Sequence, residues 1–121
     1  MTPSRLLLMV MRIAAAIQVV LGIGFWTGRW VGLVGVHRMV GVVFVIALWA
    51  IAVLAIAQQR SRAALAAFAL LWGLVVAALG FVQQGILPGD LHWIVRCAHL
   101  IIALASLPIA ERLAKRDETG A

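Results

Sequence analysis

The sequence predicts an all-α fold, an integral-membrane antiparallel four-helix bundle, on three observations. Of its 121 residues, 65% are hydrophobic and only 12% are charged, a balance no water-soluble domain of this length carries. The apolar residues fall into four stretches, and a crossing of a hydrocarbon core of roughly 30 Å takes about 20 of them. The connections between the stretches are short, which makes consecutive helices antiparallel neighbours. Four crossings consume most of the chain, so residues 1–121 read as a single transmembrane domain, and any chemistry sits within or at the ends of the helices.

The first span runs from Leu6 to Gly28 and carries Arg12 near its start and Gln18 within it. Arg5 and Arg12 ahead of an apolar run also fit a secretory signal, but the run is long and no small-residue cleavage site follows it. The second span, residues 31–57, is long enough to tilt or overhang one interface, and the polar run 57–62 closes it. The third covers residues 63–82 and ends in Gln83-Gln84-Gly85. Pro88-Gly89-Asp90 then supplies turn residues and a helix N-cap. The fourth span covers residues 91–110, followed by a polar tail, 111–121, whose first turn continues the helix. Gly22, Gly73 and Gly80 allow close helix packing.

Arg5, Arg12, Arg60, Arg62, Arg112, Lys115 and Arg116 fall on one side of this arrangement. The asymmetry places both termini in the cytoplasm and the chain in the inner, plasma membrane. Trp26, Trp30 and Trp93 mark the opposite, outer interface, while Trp49 and Trp72 read as packing residues. The net charge of +6 thus reports topology and lipid contact, with no basic stripe of the kind nucleic acid requires. A single cysteine, Cys97, excludes an intramolecular disulfide and a CxxC site.

Ionisable residues inside a span are costly and count first as functional candidates. Here they are His37, Arg38, Arg96 and His99, with His92 near a mouth, and no Asp or Glu lies in any span. A proton-coupled exporter built on a membrane carboxylate is therefore disfavoured. Counted from Trp30 and Asp90, His37 and His99 lie about 10 to 14 Å inside the outer end at 1.5 Å per residue. Two histidines on different helices suit the two axial positions of a b-type haem (iron protoporphyrin IX). Gly41 and Ala103, each one turn beyond a histidine, leave room for a flat macrocycle, and Arg38 and Arg96 can meet its propionates. Taken singly, each histidine has an ordinary packing or interfacial role open to it. His92, seven residues before His99, is a propionate partner, a surface residue or the ligand itself. Counting from the cytoplasmic ends, His37 lies 21 residues before Gln58 and His92 lies 19 before Glu111, which pairs His37 with His92. A ligand at the mouth would be poorly shielded, which favours His99.

These residues also carry a family resemblance. "VGVHRMVG", with His37 and Gly41, resembles the ligand-bearing helix of the haem A synthase family, and "CAHLIIALA", with His99 and Ala103, is similar to the helix holding the partner histidine. "GLVVAALGFVQQGILP" and "QVVLGIGFWTG" resemble two further helices, so the likeness spans about residues 17 to 106. That family has eight membrane helices in two related halves, and this chain looks like one half. The resemblance implies a haem-binding four-helix unit, and a homodimer would restore the eight-helix layout. Where the family's catalytic half places a glutamate one turn before the first histidine, this chain has Val34, which puts haem oxidation in doubt and leaves haem binding.

The function expected is that of a membrane b-type cytochrome transferring electrons, with His37 and His99 as iron ligands and a quinol or another redox protein as partner. A haem-binding subunit or carrier without turnover, and a cofactor-free membrane interaction protein, are the alternatives, and enzymatic turnover is left open.

Overall fold

A computed structural model describes residues 1–58 and 62–115. Helix α1 spans Pro3–Trp26, α2 Val34–Gln58, α3 Ala63–Val82, α4 His92–Leu104 and α5 Ser106–Ala114. Single 3-10 turns, Val31–Leu33 and Gln83–Gly85, extend α2 and α3 at one end. Four units, Pro3–Trp26, Val31–Gln58, Ala63–Gly85 and His92–Ala114, are long and apolar enough to cross a membrane. The protein is a multi-pass four-helix membrane bundle whose fourth span is made of two helices. Arg60 and Arg116, counted above as topological charges, lie outside the described residues, as do positions 116–121 of the tail.

Local chemistry accounts for most helix ends. Thr2 caps α1, its Oγ1 accepting the Arg5 N–H at 3.3 Å, and Pro3 occupies the first turn, where its missing N–H costs nothing. At the other end the Thr27 hydroxyl bonds back to the helix, 3.0 Å from the Gly24 carbonyl oxygen, and Gly28 turns the chain at φ +73°. The expected Asp90 cap does not form. Leu91 precedes α4 and no side chain caps it, because the Pro88-Gly89 turn closes through His92 N–H to the Gly89 carbonyl instead.

The fourth span breaks at Ala105. Pro108 has no N–H to offer the Leu104 carbonyl and its ring crowds that oxygen, so the α4 ladder stops and α5 restarts with proline in its first turn, where it is tolerated. The break separates two packing regimes. α5 packs on α1, α2 and α3, whereas α4 packs on α3 and makes no substantial contact with α1 or α2 among the described residues. Met11, Leu48, Ile51 and Leu113 are almost completely buried, all in the half that α5 closes. Only Val95 is buried in α4. The bundle is dense at its arginine-rich end and hollow at its tryptophan-rich end.

Polar contacts, one of them buried, tie the dense half together. Arg62, expected as a solvated topological charge, is 6% exposed, and its Nη1 donates to the Leu113 carbonyl at 2.7 Å. There it caps the negative end of the α5 dipole. Arg12 Nη2 and Glu111 Oε1 pair at 2.8 Å and tie α1 to α5. Trp49 lies against Gly73 and donates its indole N–H to the Leu70 carbonyl at 3.1 Å; Trp72 donates to the Ile102 carbonyl at 3.0 Å. Both are the packing residues the sequence suggests, while Trp26, Trp30 and Trp93 are exposed.

A Cβ at Gly73 would enter the Trp49 ring, whereas one at Gly35 meets nothing within 4 Å. Gly73→Val is therefore expected to destabilise the bundle by about 1–3 kcal/mol through overpacking. Gly35→Ala is expected to be neutral or mildly stabilising. Reversible unfolding in mixed detergent micelles measures both.

Candidate functional site

The hollow half holds a cavity of about 460 Å³ walled by all four spans, within the roughly 300 to 1,000 Å³ of sites that enclose a small organic ligand. His37, Arg38, Gly41, His92, Arg96, His99 and Ala103 all line it. α2 contributes the first three from its opening turns, and α4 the rest from the face it turns away from lipid. The separation of α4 from α1 and α2 creates the space.

The two deep histidines are within electrostatic range of each other. The Phe25 ring meets His37 edge-on, with centroids 5.3 Å apart at 75°, and His99 Cε1 would sit 3.5 Å from a Cβ at Gly80. Each ring has its Nδ1 enclosed without a hydrogen-bond partner. The Nε2 atoms are not among the enclosed atoms and carry no hydrogen bond among the described residues, which leaves both open to the cavity. A buried unpaired polar group costs about 1–3 kcal/mol, and a ligand-binding role is one explanation of such a group.

The mouth is different. His92 donates Nδ1–H to the Ile86 carbonyl at 3.1 Å, which orients the ring and leaves its Nε2 as an acceptor. Arg38 and Arg96 are exposed and make no ion pair among the described residues. No carboxylate lines the cavity, so these two guanidiniums lack an anionic partner within the chain.

Side-chain contacts across the helices set the depths. Trp49 lies against Gly73; Gly41 is eight residues from the former and Gly80 seven from the latter, toward the mouth. At about 1.5 Å per residue both glycines reach one level. Gln18 rests on Gly41, its Nε2 2.7 Å from where a Cβ would stand, and His99 adjoins Gly80. Gln18, Gly41, Gly80 and His99 thus form one layer, and His37 stands a turn, about 6 Å, nearer the mouth. Equal depth for the two histidines, expected from span-end counting, gives way to a one-turn stagger.

Gly41 also works differently from expectation. The space above it is taken by the Gln18 amide, and the open space lies instead at Gly22, where an added Cβ meets nothing within 4 Å. Gln18 and Gly22 were not among the candidates read from sequence. Gln18 carried a usable signal, as the one amide well inside an apolar span, whereas Gly22 carried none, since nothing in its neighbours distinguishes a packing glycine from a cavity wall.

Among the described residues no three His, Cys, Asp or Glu side chains gather as a site for a bare metal ion. The arrangement is a pair of imidazoles across an apolar chamber with a cationic mouth. Comparison with family models, with curated proteins and with solved structures finds no match.

Gly22→Leu is expected to fill part of the chamber. It should raise the stability of the ligand-free protein by about 0.5–2 kcal/mol, measured by thermal unfolding in detergent, whereas a loss of stability would show that the space at Gly22 is not open.

Proposed function

We propose that the protein is a membrane b-type cytochrome that binds one haem b in the chamber and transfers electrons. The observation that carries this reading is the pair of histidines on α2 and α4, each with Nε2 open to one ligand-sized cavity and Nδ1 enclosed and unpaired. The residues present fit the group. His37 and His99 would hold its iron through Nε2, and Arg38 and Arg96, which lack anionic partners, would meet its carboxylates as charge-assisted donors. When bound, haem supplies an iron that accepts and returns one electron at a time.

The chain's own part is to orient and to shelter. α2 and α4 present the imidazoles from different walls, and the Phe25 contact restrains the His37 ring. Phe44, Val45 and Val76 are buried and give the floor an apolar lining that excludes water. His92, anchored on Ile86 at the mouth, is placed to meet a carboxylate rather than the iron. The tryptophan-rich end and the cavity mouth coincide, and the arginine-rich end holds both described termini. The positive-inside asymmetry therefore puts the haem near the outer face of the plasma membrane, with the termini cytoplasmic. A quinol in the bilayer or a redox protein at the outer face would exchange electrons with it, and a second copy of the chain would complete an eight-helix assembly. The resemblance to one half of the haem A synthase family supports the haem; Val34, where that family's catalytic half has a glutamate, speaks against oxidation of the haem itself.

Protein purified in mild detergent, or titrated with haemin, is expected to take up about one haem per chain and to give sharp, split low-spin bands on dithionite reduction. A pyridine haemochrome assay identifies the haem type. His37→Ala and His99→Ala should each abolish the six-coordinate spectrum, while His92→Ala should keep it and weaken retention. A colourless protein that also refuses haemin overturns the reading, and loss of haem with His92→Ala but not with His99→Ala overturns the ligand assignment.

A further inference from the structure

Two complementary orphans sit on facing helices one turn apart. Gln18 Oε1 on α1 is an enclosed acceptor without a donor, and His37 Nδ1 on α2 is enclosed without a partner. The register across the interface is crossed: Gln18 faces Gly41, and four residues on along α1 Gly22 comes to the level of His37, four residues before Gly41 on α2. Each polar side chain thus has a glycine opposite it. An added Cβ at Gly22 meets nothing within 4 Å, so the wall between these two levels of α1 carries no side chain of its own. Glutamine has three side-chain torsions, and a rotamer change carries its carbonyl from the Gly41 seat toward the ring. No other described residue offers His37 Nδ1 a hydrogen bond, and a donor left unpaired in so apolar a setting is costly.

We propose that Gln18 is a positioning residue for His37: its Oε1 accepts the His37 Nδ1–H, which fixes the tautomer and turns the Nε2 lone pair into the chamber. The role this gives Gln18 in iron ligation rests on the haem reading above, but the pairing itself does not. A hydrogen bond on the distal nitrogen of a ligating imidazole orients the ring and strengthens its donation to the metal.

The test has two arms. Without ligand, 15N spectra of histidine-labelled protein, assigned with His92→Ala and His99→Ala, should show His37 protonated at Nδ1. Gln18→Leu should shift the ring toward the Nε2–H form, and Gln18→Glu, which keeps an acceptor oxygen, should restore Nδ1–H. With haemin, Gln18→Leu should weaken binding by about 10- to 100-fold and move the reduction potential upward, because a less donating imidazole stabilises ferric iron less. Gln18→Glu should bring the potential to or below that of the wild type. An unchanged tautomer together with unchanged haemin affinity in Gln18→Leu overturns the proposal. A tautomer that responds in a protein refusing haemin sustains the pairing and defeats only the haem reading. If Gln18→Leu fails to fold, Gln18→Glu decides, and a His37 ring in that variant protonated at Nε2 overturns the pairing.

Discussion

One absent hydrogen-bond donor organises this bundle. Pro108 cannot answer the Leu104 carbonyl, and a lost backbone bond is expensive where lipid offers no substitute. The fourth span consequently breaks inside the protein rather than at its lipid face: the Trp72 indole donates to the Ile102 carbonyl beside the break, and the Ser106 side chain is fully buried there. From that point α5 runs into the bundle and α4 leaves it.

The two halves divide the work of stability and binding. In the dense half small residues such as Ala52, Ala66 and Ala69 are wholly enclosed, so the helices approach closely and dispersion, which drives association in lipid, is gained in full. Arg62 spans the joint there: it stands just before α3 and binds a carbonyl in the last turn of α5. The hollow half forgoes such contacts and carries unpaired polar atoms on Gln18, His37 and His99. Arg62 Nη2 and Ser106 Oγ are likewise unpaired in the dense half, so the open volume beside two imidazoles, rather than unmet hydrogen bonding by itself, marks the chamber as a ligand site.

Polarity within the chamber is graded along the membrane normal. His92 stands at the mouth, the two unpaired imidazoles lie below it one turn apart, exposed Arg38 and Arg96 leave the same helices between those two levels, and Gln18 lies with the deeper imidazole. Arg38 and Arg96 are exposed, each five residues into its helix, whereas an enclosed cation there would need a partner the chain does not supply.

The sequence by itself determined the four spans, the separation of basic from tryptophan-rich ends, and the short list of polar residues out of place, because each is a departure from an apolar background that composition alone exposes. His37 and His99 belong to that list, as do the two arginines. It did not determine which side of each helix faces inward, since segments apolar all round have no moment to read. The seating of Gln18 on Gly41, the stagger of the histidines, the open wall at Gly22 and the burial of Arg62 all depend on that choice. Even Pro108, visible in the sequence, did not reveal whether the span would bend, break or begin again. The tertiary structure decided these points, because each is a question of which surfaces meet, and in lipid that is settled by shape and by the sharing of scarce hydrogen-bonding groups rather than by hydropathy.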